Sequence, residues 1–302
     1  MPTRTNLTAP ALLCADIGGS HMRLAWIDND LNVIERRQIS TPSHDLDRFV
    51  ESFAELVRES HRPVKAAHLS LAGLQDPVTA RCIAANIPCI KDVSLAPLMS
   101  RELGLPVRIA NDADCFTLAE ARTGAAKGHD NVFGIILGTG VGGGLVQQGN
   151  LVVGRQGLTG EWGHGPFLRR GDRDYPYLPC GCGQSGCLDT IGGARGLEKL
   201  HLWLCGEACS SRDIINGWLS KKSPYHATVT RYIDLLSDAL AIVINITGAS
   251  CVPAGGGLSA VEQLITALDQ AVREKCLYNT DTPIIVRAKL GDDAGLIGAS
   301  YL

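Results

Sequence analysis

Short apolar runs that end in polar or glycine-rich turns fill the first half of the chain, and stretches with apolar residues at helical spacing fill the second. Residues 11–15, 66–71, 107–110 and 132–137 are runs of the first kind, short and continuous enough to be buried strands. Residues 23–28 and 32–39 read as two more strands, turned at Asp28-Asn29-Asp30. Phe49, Phe53, Leu56 and Val57 fall at helical spacing, so an amphipathic helix is expected to cover that sheet, and Phe116, Leu118, Ala119 and Ala121 suggest another. Later, residues 197–204, 232–246 and 261–272 read as helices, the second with an apolar face through Leu235, Leu236, Ala239, Leu240 and Val243. A strand at 284–286 and a helix at 295–302 close the chain. The pattern is that of an α/β protein.

Polar residues cluster where these strands end. The first runs into Asp16-Ile17-Gly18-Gly19-Ser20, in which backbone N–H groups and a hydroxyl can approach a phosphate with the carboxylate near its Mg²⁺, although a plain hairpin turn has the same composition. Ala72-Gly73-Leu74-Gln75 and Asn86-Ile87-Pro88 are loops able to line a cleft. The strand at 107–110 delivers Asn111-Asp112-Ala113-Asp114 to its carboxyl end, where open α/β sheets bind ligands. Asp112 could take a proton from a substrate hydroxyl while the Asn111 amide fixes that substrate. The alternative is a helix cap, for which Asp114 suits better than Asp112.

Gly138, Gly140 and Gly143 satisfy a dinucleotide-binding fingerprint in spacing, but that fingerprint opens a helix, and here residues 145–152 read as a strand, a Gly149-Asn150 turn and another strand. No Gly-x4-Gly-Lys-Ser/Thr occurs. What remains is a glycine-rich hairpin at 138–144 whose bare backbone can wrap a phosphate chain. Gly255-Gly256-Gly257, after a short strand and before a helix, again permits close approach of a ligand such as a nucleoside, or simply a tight turn.

The most specific stretch runs from Glu161 to Asp189. Cys180, Cys182 and Cys187 sit among turn-forming glycines that can bring three sulfurs to one point, and His164 is the nearest upstream imidazole. Three thiolates and one imidazole make a closed structural zinc site. Metal on one ring nitrogen fixes the tautomer of the other, which can then donate to a substrate, with Glu161 aimed at the same place. Three free thiols and an ordinary histidine are the plainer alternative. Disulfides fit poorly, because Cys180 and Cys182 are too close in the chain to pair easily.

Composition narrows the function classes. The chain has 302 residues, 45% hydrophobic and 20% charged, with a formal net charge of −3, so no basic field points to nucleic acid or an anionic membrane. Its first residues lack the apolar core of a signal peptide and no segment approaches a spanning length. Eleven cysteines, eight of them scattered outside the loop, suit a reducing compartment, and the expected location is the cytoplasm.

Taken together, Asp16-Ile-Gly-Gly-Ser20, Asn111-Asp-Ala-Asp114, Leu137-Gly-Thr-Gly-Val-Gly-Gly-Gly144, Glu161-Trp-Gly-His164, Cys180-Gly-Cys-Gly-Gln-Ser-Gly-Cys187 and Gly255-Gly-Gly-Leu-Ser259 resemble the ROK family of sugar kinases and repressors. The match runs in order along nearly the whole chain. Within the family, Ala85-Asn86-Ile-Pro88, Asn111-Asp-Ala-Asp-Cys-Phe116 and Thr159-Gly-Glu-Trp-Gly-His164 are most similar to the bacterial members acting on N-acetyl-D-glucosamine.

The resemblance implies an α/β, two-lobed, actin-like (ribonuclease-H-like) fold with a structural zinc loop, one lobe comprising 1–111 with the C-terminal helix at about 290–302, the other 112–289. It implies ATP with Mg²⁺ as phosphoryl donor and a hexose as acceptor, with Asp112 as base toward the 6-hydroxyl. Gly73, Asn86, Asn111, Glu161, His164 and Asp189 would contact the sugar. Asp16, Gly18, Gly19 and Ser20, with Gly138, Thr139, Gly140 and Gly255 to Gly257, would contact the nucleotide, and His164, Cys180, Cys182 and Cys187 would hold the zinc. Same-class alternatives are glucokinase, fructokinase and N-acetylmannosamine kinase activity. The other-class alternative is a sugar-sensing repressor or a non-catalytic sensor; repressors carry a winged helix, for which the 15 residues before Asp16 are too few. Many members are dimers, so a homodimer is compatible with the resemblance. Three positions depart from the family pattern: Asp189 for Glu, Ser20 for Thr, and the segment 247–254, Thr-Gly-Ala-Ser-Cys-Val-Pro-Ala.

Overall fold

The computed structural model describes residues 10–278 and 280–302, so residues 1–9, which the resemblance assigns to the first lobe, lie outside the described residues. The chain separates into two compact units, one of Met1–Ala119, Val153–Thr159 and Asp292–Leu302, the other of Glu120–Val152 and Gly160–Gly291. The sequence-based division at 111/112 and near 290 compares with crossings at 119/120 and 291/292, and the short stretch 153–159 joins the first unit.

In the first unit, β1 (Ala11–Ile17), β2 (His21–Ile27) and β3 (Val33–Ser40) form an antiparallel meander. Helix α1 (Leu46–Glu59) returns the chain to β4 (Val64–Leu71), which pairs parallel to β1. A small hairpin of β5 (Leu74–Gln75) and β6 (Cys82–Ile83) and helix α2 (Leu95–Leu103) lead to β7 (Val107–Asn111), parallel to β4, and then to α3 (Asp112–Arg122). The sheet order is β3-β2-β1-β4-β7.

Both faces of this sheet are covered, which is why β1 reads as a continuous apolar run instead of alternating. Leu13, Ala15 and Ile17 pack with Phe49 and Phe53 of α1, while Cys14, from the opposite face, packs with Cys115 of α3 and with Leu296 and Ala299 of the C-terminal helix Ala294–Ala299. Helix α1 starts where Asp45 accepts the Arg48 N–H at 3.0 Å, satisfying one of the unpaired donors of its first turn.

The second unit repeats the plan. β8 (Asn131–Leu137), β9 (Val141–Gln147) and β10 (Asn150–Leu151) form the meander. Helices α4 (Asp189–Gly192), α5 (Ala194–Cys205), α6 (Ser211–Leu219) and α7 (Tyr225–Thr247) follow. Then come β11 (Val252–Gly255), parallel to β8, helix α8 (Glu262–Lys275) and β12 (Ile285–Arg287), parallel to β11. The order β10-β9-β8-β11-β12 matches the first sheet strand for strand in direction. Asp16-Ile-Gly-Gly and Leu137-Gly-Thr-Gly therefore close equivalent strands, β1 and β8. One core of residues such as Leu137, Leu197, Tyr232, Leu240, Val252 and Leu268 joins sheet to helices.

Three expectations change. Asp114 is not the cap of α3: the helix begins at Asp112, Asn111 Oδ1 accepts the Ala113 N–H at 2.9 Å, and Asp114 lies buried in the first turn. The strand expected from 145 already begins at Val141. Helices α2 and α6 and the β5–β6 hairpin had no counterpart among the expected elements.

Candidate functional site

The turn between β1 and β2 brings three residues onto one face. Counting outward from the turn, Asp16 lies opposite Arg23 on β2 and beside Ser70 on β4. Asp16 Oδ1 accepts the Ser70 hydroxyl at 2.8 Å and Oδ2 receives the Arg23 guanidinium. The turn is tight, with the Gly18 N–H donating to His21 O at 2.9 Å and the Thr41 hydroxyl donating to Gly18 O at 2.6 Å. A Cβ on Gly18 would make only an ordinary contact, 3.8 Å from His21 O, whereas one on Gly19 would come within 2.8 Å of Asn86 O. Gly19 is thus needed for packing, which seats exposed Asn86 beside the turn, and Gly18 is the glycine a ligand can approach.

Asn111 and Asp112 stand at the end of β7 and the head of α3. The Asn111 amide donates to Gly73 O at 3.1 Å, which fixes its orientation, and Gly73 itself lies so close to Ile83 O that a Cβ would approach to 2.7 Å. Asp112 is part-exposed, with Oδ1 2.9 Å from the Ala113 N–H. Gly73 therefore helps to hold the asparagine amide in place.

In the second unit, three glycine segments meet. Gly138 N–H donates to Gly140 O at 3.0 Å across the β8–β9 turn, and Gly138 O accepts the N–H of Ala194, the first residue of α5, at 2.8 Å. Thr139 is exposed at the tip. Gly256, with φ of 85°, packs against the backbone of Leu137 and Gly138, whereas Gly257 borders open space. Gly255 ends β11 and is buried. The β8–β9 turn, the head of α5 and the glycine turn after β11 form one cradle of bare backbone, and α5 aims the positive end of its dipole at it.

The loop 160–164 lies against the same hairpin. Trp162 is buried and its indole N–H donates to Gly142 O at 2.9 Å. His164 Nδ1 lies 3.6 Å from Cys180 Sγ, and its Nε2 lies 3.4 Å from Glu161 Oε2. Burial pushes the Glu161 carboxyl above its usual range; His164 pulls it down and the charge of Asp189 pushes it further up. Cys182 Sγ and Cys187 Sγ are 3.6 Å apart, and one ligand atom from each of His164, Cys180, Cys182 and Cys187 lies within 4.8 Å of the others.

This donor set fits zinc. Zn–S near ~2.3 Å and Zn–N near ~2.0 Å give tetrahedral edges of roughly 3.6–3.8 Å, which the 3.6 Å separations match; the widest edge has to close by about 1 Å. Gly183 and Gly186, at φ of 90° and 79°, make the turns that fold the thiols inward. Among the described residues this is the one cluster of three or more such groups suited to a metal. Asp16 is engaged by Ser70 and Arg23.

Asp189 is not an unattached carboxylate. Its Oδ1 accepts the Val141 N–H at 2.9 Å, and its own N–H donates to Gly163 O at 2.9 Å. Arg23 and Ser70 were absent from the residues singled out in the sequence. The signal was present in the strand register, because a hairpin turning at Gly19-Ser20 places Arg23 opposite Asp16.

A model of the ROK family matches residues 12–302. The N-acetyl-D-glucosamine kinase of Pectobacterium carotovorum subsp. carotovorum (strain PC1) is 33% identical over 294 residues, covering 95% of this chain and 97% of its own. The protein of the same name from Salmonella typhimurium (strain LT2) is 33% identical over the same span. The ROK hexokinase from Thermus thermophilus superposes with a TM-score of 0.83 at 28% identity, covering 96% of each chain. The ROK family glucokinase from Streptomyces griseus, solved with glucose and AMPPNP, superposes with a TM-score of 0.75 at 25% identity, covering 96% of this chain and 98% of its own. The fold is the two-lobed, actin-like α/β fold of these sugar kinases. The chain belongs to the ROK family. Among the described residues no helix is long and apolar enough to cross a membrane.

Proposed function

We propose that this ROK-family sugar kinase transfers the γ-phosphoryl group of ATP to the 6-hydroxyl of N-acetyl-D-glucosamine. The observation that carries the substrate reading is the 33% identity, over 95% of the chain, to proteins named for that activity. Asp112 takes the proton from the attacking hydroxyl, a contribution of about 10²–10⁴-fold. Asn111, oriented by Gly73, supplies amide contacts, and Glu161 and His164 Nε2 hold sugar hydroxyls, with Asn86 lining the sugar site. When bound, zinc at His164 Nδ1 and the three thiolates fixes the imidazole so that Nε2 carries the proton to donate.

The turn at Gly18, Gly19 and Ser20, with Asp16 behind it, and the cradle of Gly138, Thr139, Gly140, Gly256 and Gly257 bind the phosphate chain and the adjoining nucleoside. Phosphoryl transfer has a loose transition state, so most of the acceleration comes from alignment and charge neutralisation. The reading also puts the protein in the cytoplasm, where its thiols stay reduced, and sedimentation would test for the homodimer compatible with the family resemblance.

A hexose lacking the N-acetyl group is the second reading. Its motivation is that Asp189, one methylene shorter than the family's usual Glu, departs from the family pattern and is bonded to Val141, which leaves the choice of hexose open. A panel of N-acetylglucosamine, N-acetylmannosamine, glucose and fructose with ATP, followed by coupled ADP release, separates the two. Highest kcat/KM for N-acetylglucosamine is expected. Highest kcat/KM for glucose or fructose would transfer the assignment, and ATP binding without turnover on any sugar would identify a sensor.

A further inference from the structure

Glu120 is fully buried in the last turn of α3, the helix that opens with Asp112. Its two carboxylate oxygens accept three backbone N–H groups: Oε1 takes those of Lys289 and Leu290, each at 2.8 Å, and Oε2 takes that of Ala125 at 2.6 Å. These bonds offset the cost of removing a carboxylate from water. Gly124 makes room for them, because a Cβ there would come within 2.0 Å of Oε2. The chain passes between its two units at 119/120, 152/153, 159/160 and 291/292. Glu120 is the first residue beyond one of these joints, and Lys289 and Leu290 lie just ahead of another. Within the second unit, one carboxylate therefore ties two joints together. On the first unit's side, α3 and the C-terminal helix meet so closely that a Cβ on Gly298 would lie 1.8 Å from Cys115 O. The helix is thus gripped on both sides of the joint it crosses.

From this geometry we infer that Glu120 is a positioning residue for phosphoryl transfer: it anchors the helix that presents Asp112 to the unit that carries the glycine cradle. The inference rests on the reading of Asp112 as the base and of that cradle as the nucleotide site. Transfer depends on alignment, and a displacement of about 1 Å caused far from the reacting atoms can cost about a hundredfold in rate. Loosening the anchor therefore acts on turnover, while the cradle, built wholly from residues of the second unit, keeps its own affinity for nucleotide. A carboxylate that only held the fold together would behave differently. Its loss would lower the thermal midpoint and leave the kcat of the folded protein unchanged.

The test compares Glu120→Ala, Glu120→Asp and Glu120→Gln with the wild type. Thermal midpoints are taken first, and all kinetics are run well below the lowest of them. Mg-ADP is titrated by calorimetry, and kcat is measured with N-acetylglucosamine and saturating Mg-ATP. The Ala and Asp variants should lose about ten- to a hundredfold in kcat and keep a Mg-ADP Kd near wild type. The Asp variant retains the charge but is one methylene short of Lys289 and Leu290. The Gln variant keeps the reach and one oxygen for those two N–H groups, so it is expected to recover most of the kcat. If the Ala variant fails to fold, the Asp and Gln pair carries the comparison, with Mg-ADP binding as the sign of an intact second unit. Folded Ala or Asp variants that turn over at near the wild-type kcat would overturn the inference, and so would a loss of Mg-ADP affinity as large as the loss of kcat. Wild-type protein that binds no Mg-ADP, or that turns over no hexose, would instead sink the underlying reading of the cradle and of Asp112.

Discussion

His164 faces two ways: Nδ1 toward Cys180 Sγ at 3.6 Å, and Nε2 toward Glu161 Oε2 at 3.4 Å. One ring therefore connects the thiol cluster to a half-buried carboxylate in the loop that packs on the glycine hairpin. On the proposed function, a metal held by these ligands would keep the imidazole in one tautomer for a substrate, and its removal is predicted to be felt first as lost sugar affinity.

Metal content checks the first half of that relationship. Purified without chelator, the wild type should carry about one zinc per chain, and Cys182→Ser should fall toward none with a lower thermal midpoint. Glu161→Gln should keep its zinc but weaken sugar binding by about 1.5–3 kcal/mol, roughly ten- to a hundredfold, because one charge-assisted hydrogen bond is lost. Elemental analysis and calorimetry on the same preparations give both readings.

Gly256 and Gly257 are adjacent and predict opposite outcomes. Gly256 has φ of 85° and backbone of Leu137 and Gly138 where its Cβ would go, so Gly256→Ala should cost about 1–3 kcal/mol of stability. Gly257 borders open space, so Gly257→Ala should leave the denaturation midpoint within about 0.5 kcal/mol of wild type while raising the ATP KM. Denaturation curves and ATP kinetics on the two variants separate a packing glycine from a ligand-approach glycine.

Three buried thiols outside the cluster are predicted to contribute to the loss of stability at alkaline pH. Burial pushes Cys14 up to about 12 and Cys251 up to about 11, and pushes Cys115 well above its usual value near 9.0. In each case the folded protein holds its proton to higher pH than the unfolded chain does. The stability this contributes is complete below about pH 9 and is lost as pH rises from there toward each folded value. The slope is at most about 1.4 kcal/mol per pH unit for each thiol. Cys14→Ala should flatten the alkaline limb of a stability-against-pH curve. At pH 7.5 a thiol reagent should leave all three unmodified in the native protein and label them after denaturation.

The ends of β1, β7 and β8 were readable because short apolar runs stopped abruptly at polar or glycine residues. The rejection of the dinucleotide fingerprint also stood, since β9 follows the glycines. Of the duplicated plan the sequence carries only Asp16-Ile-Gly-Gly and Leu137-Gly-Thr-Gly at the ends of two strands, because like strand order is a property of pairing, which the sequence does not display. Helix α2 begins with Pro97 among its first residues and was masked by it. Helix α6 is short and contains Gly217, yet its cap was legible, since Ser210 accepts the Asp213 N–H from three residues on. The bond between Asp189 and the Val141 N–H was not legible, because nothing in the sequence shows that Val141 lies next to Asp189.

The most direct measurement is the identity of the product. Wild-type protein with Mg-ATP and N-acetylglucosamine, followed by phosphorus and proton NMR, should yield a phosphomonoester on the 6-oxygen. Asp112→Asn should yield none above the enzyme-free blank while retaining its zinc and its sugar affinity. Wild-type protein that forms no phosphosugar from any hexose, or an Asp112→Asn variant that turns over at near the wild-type rate, would contradict the account.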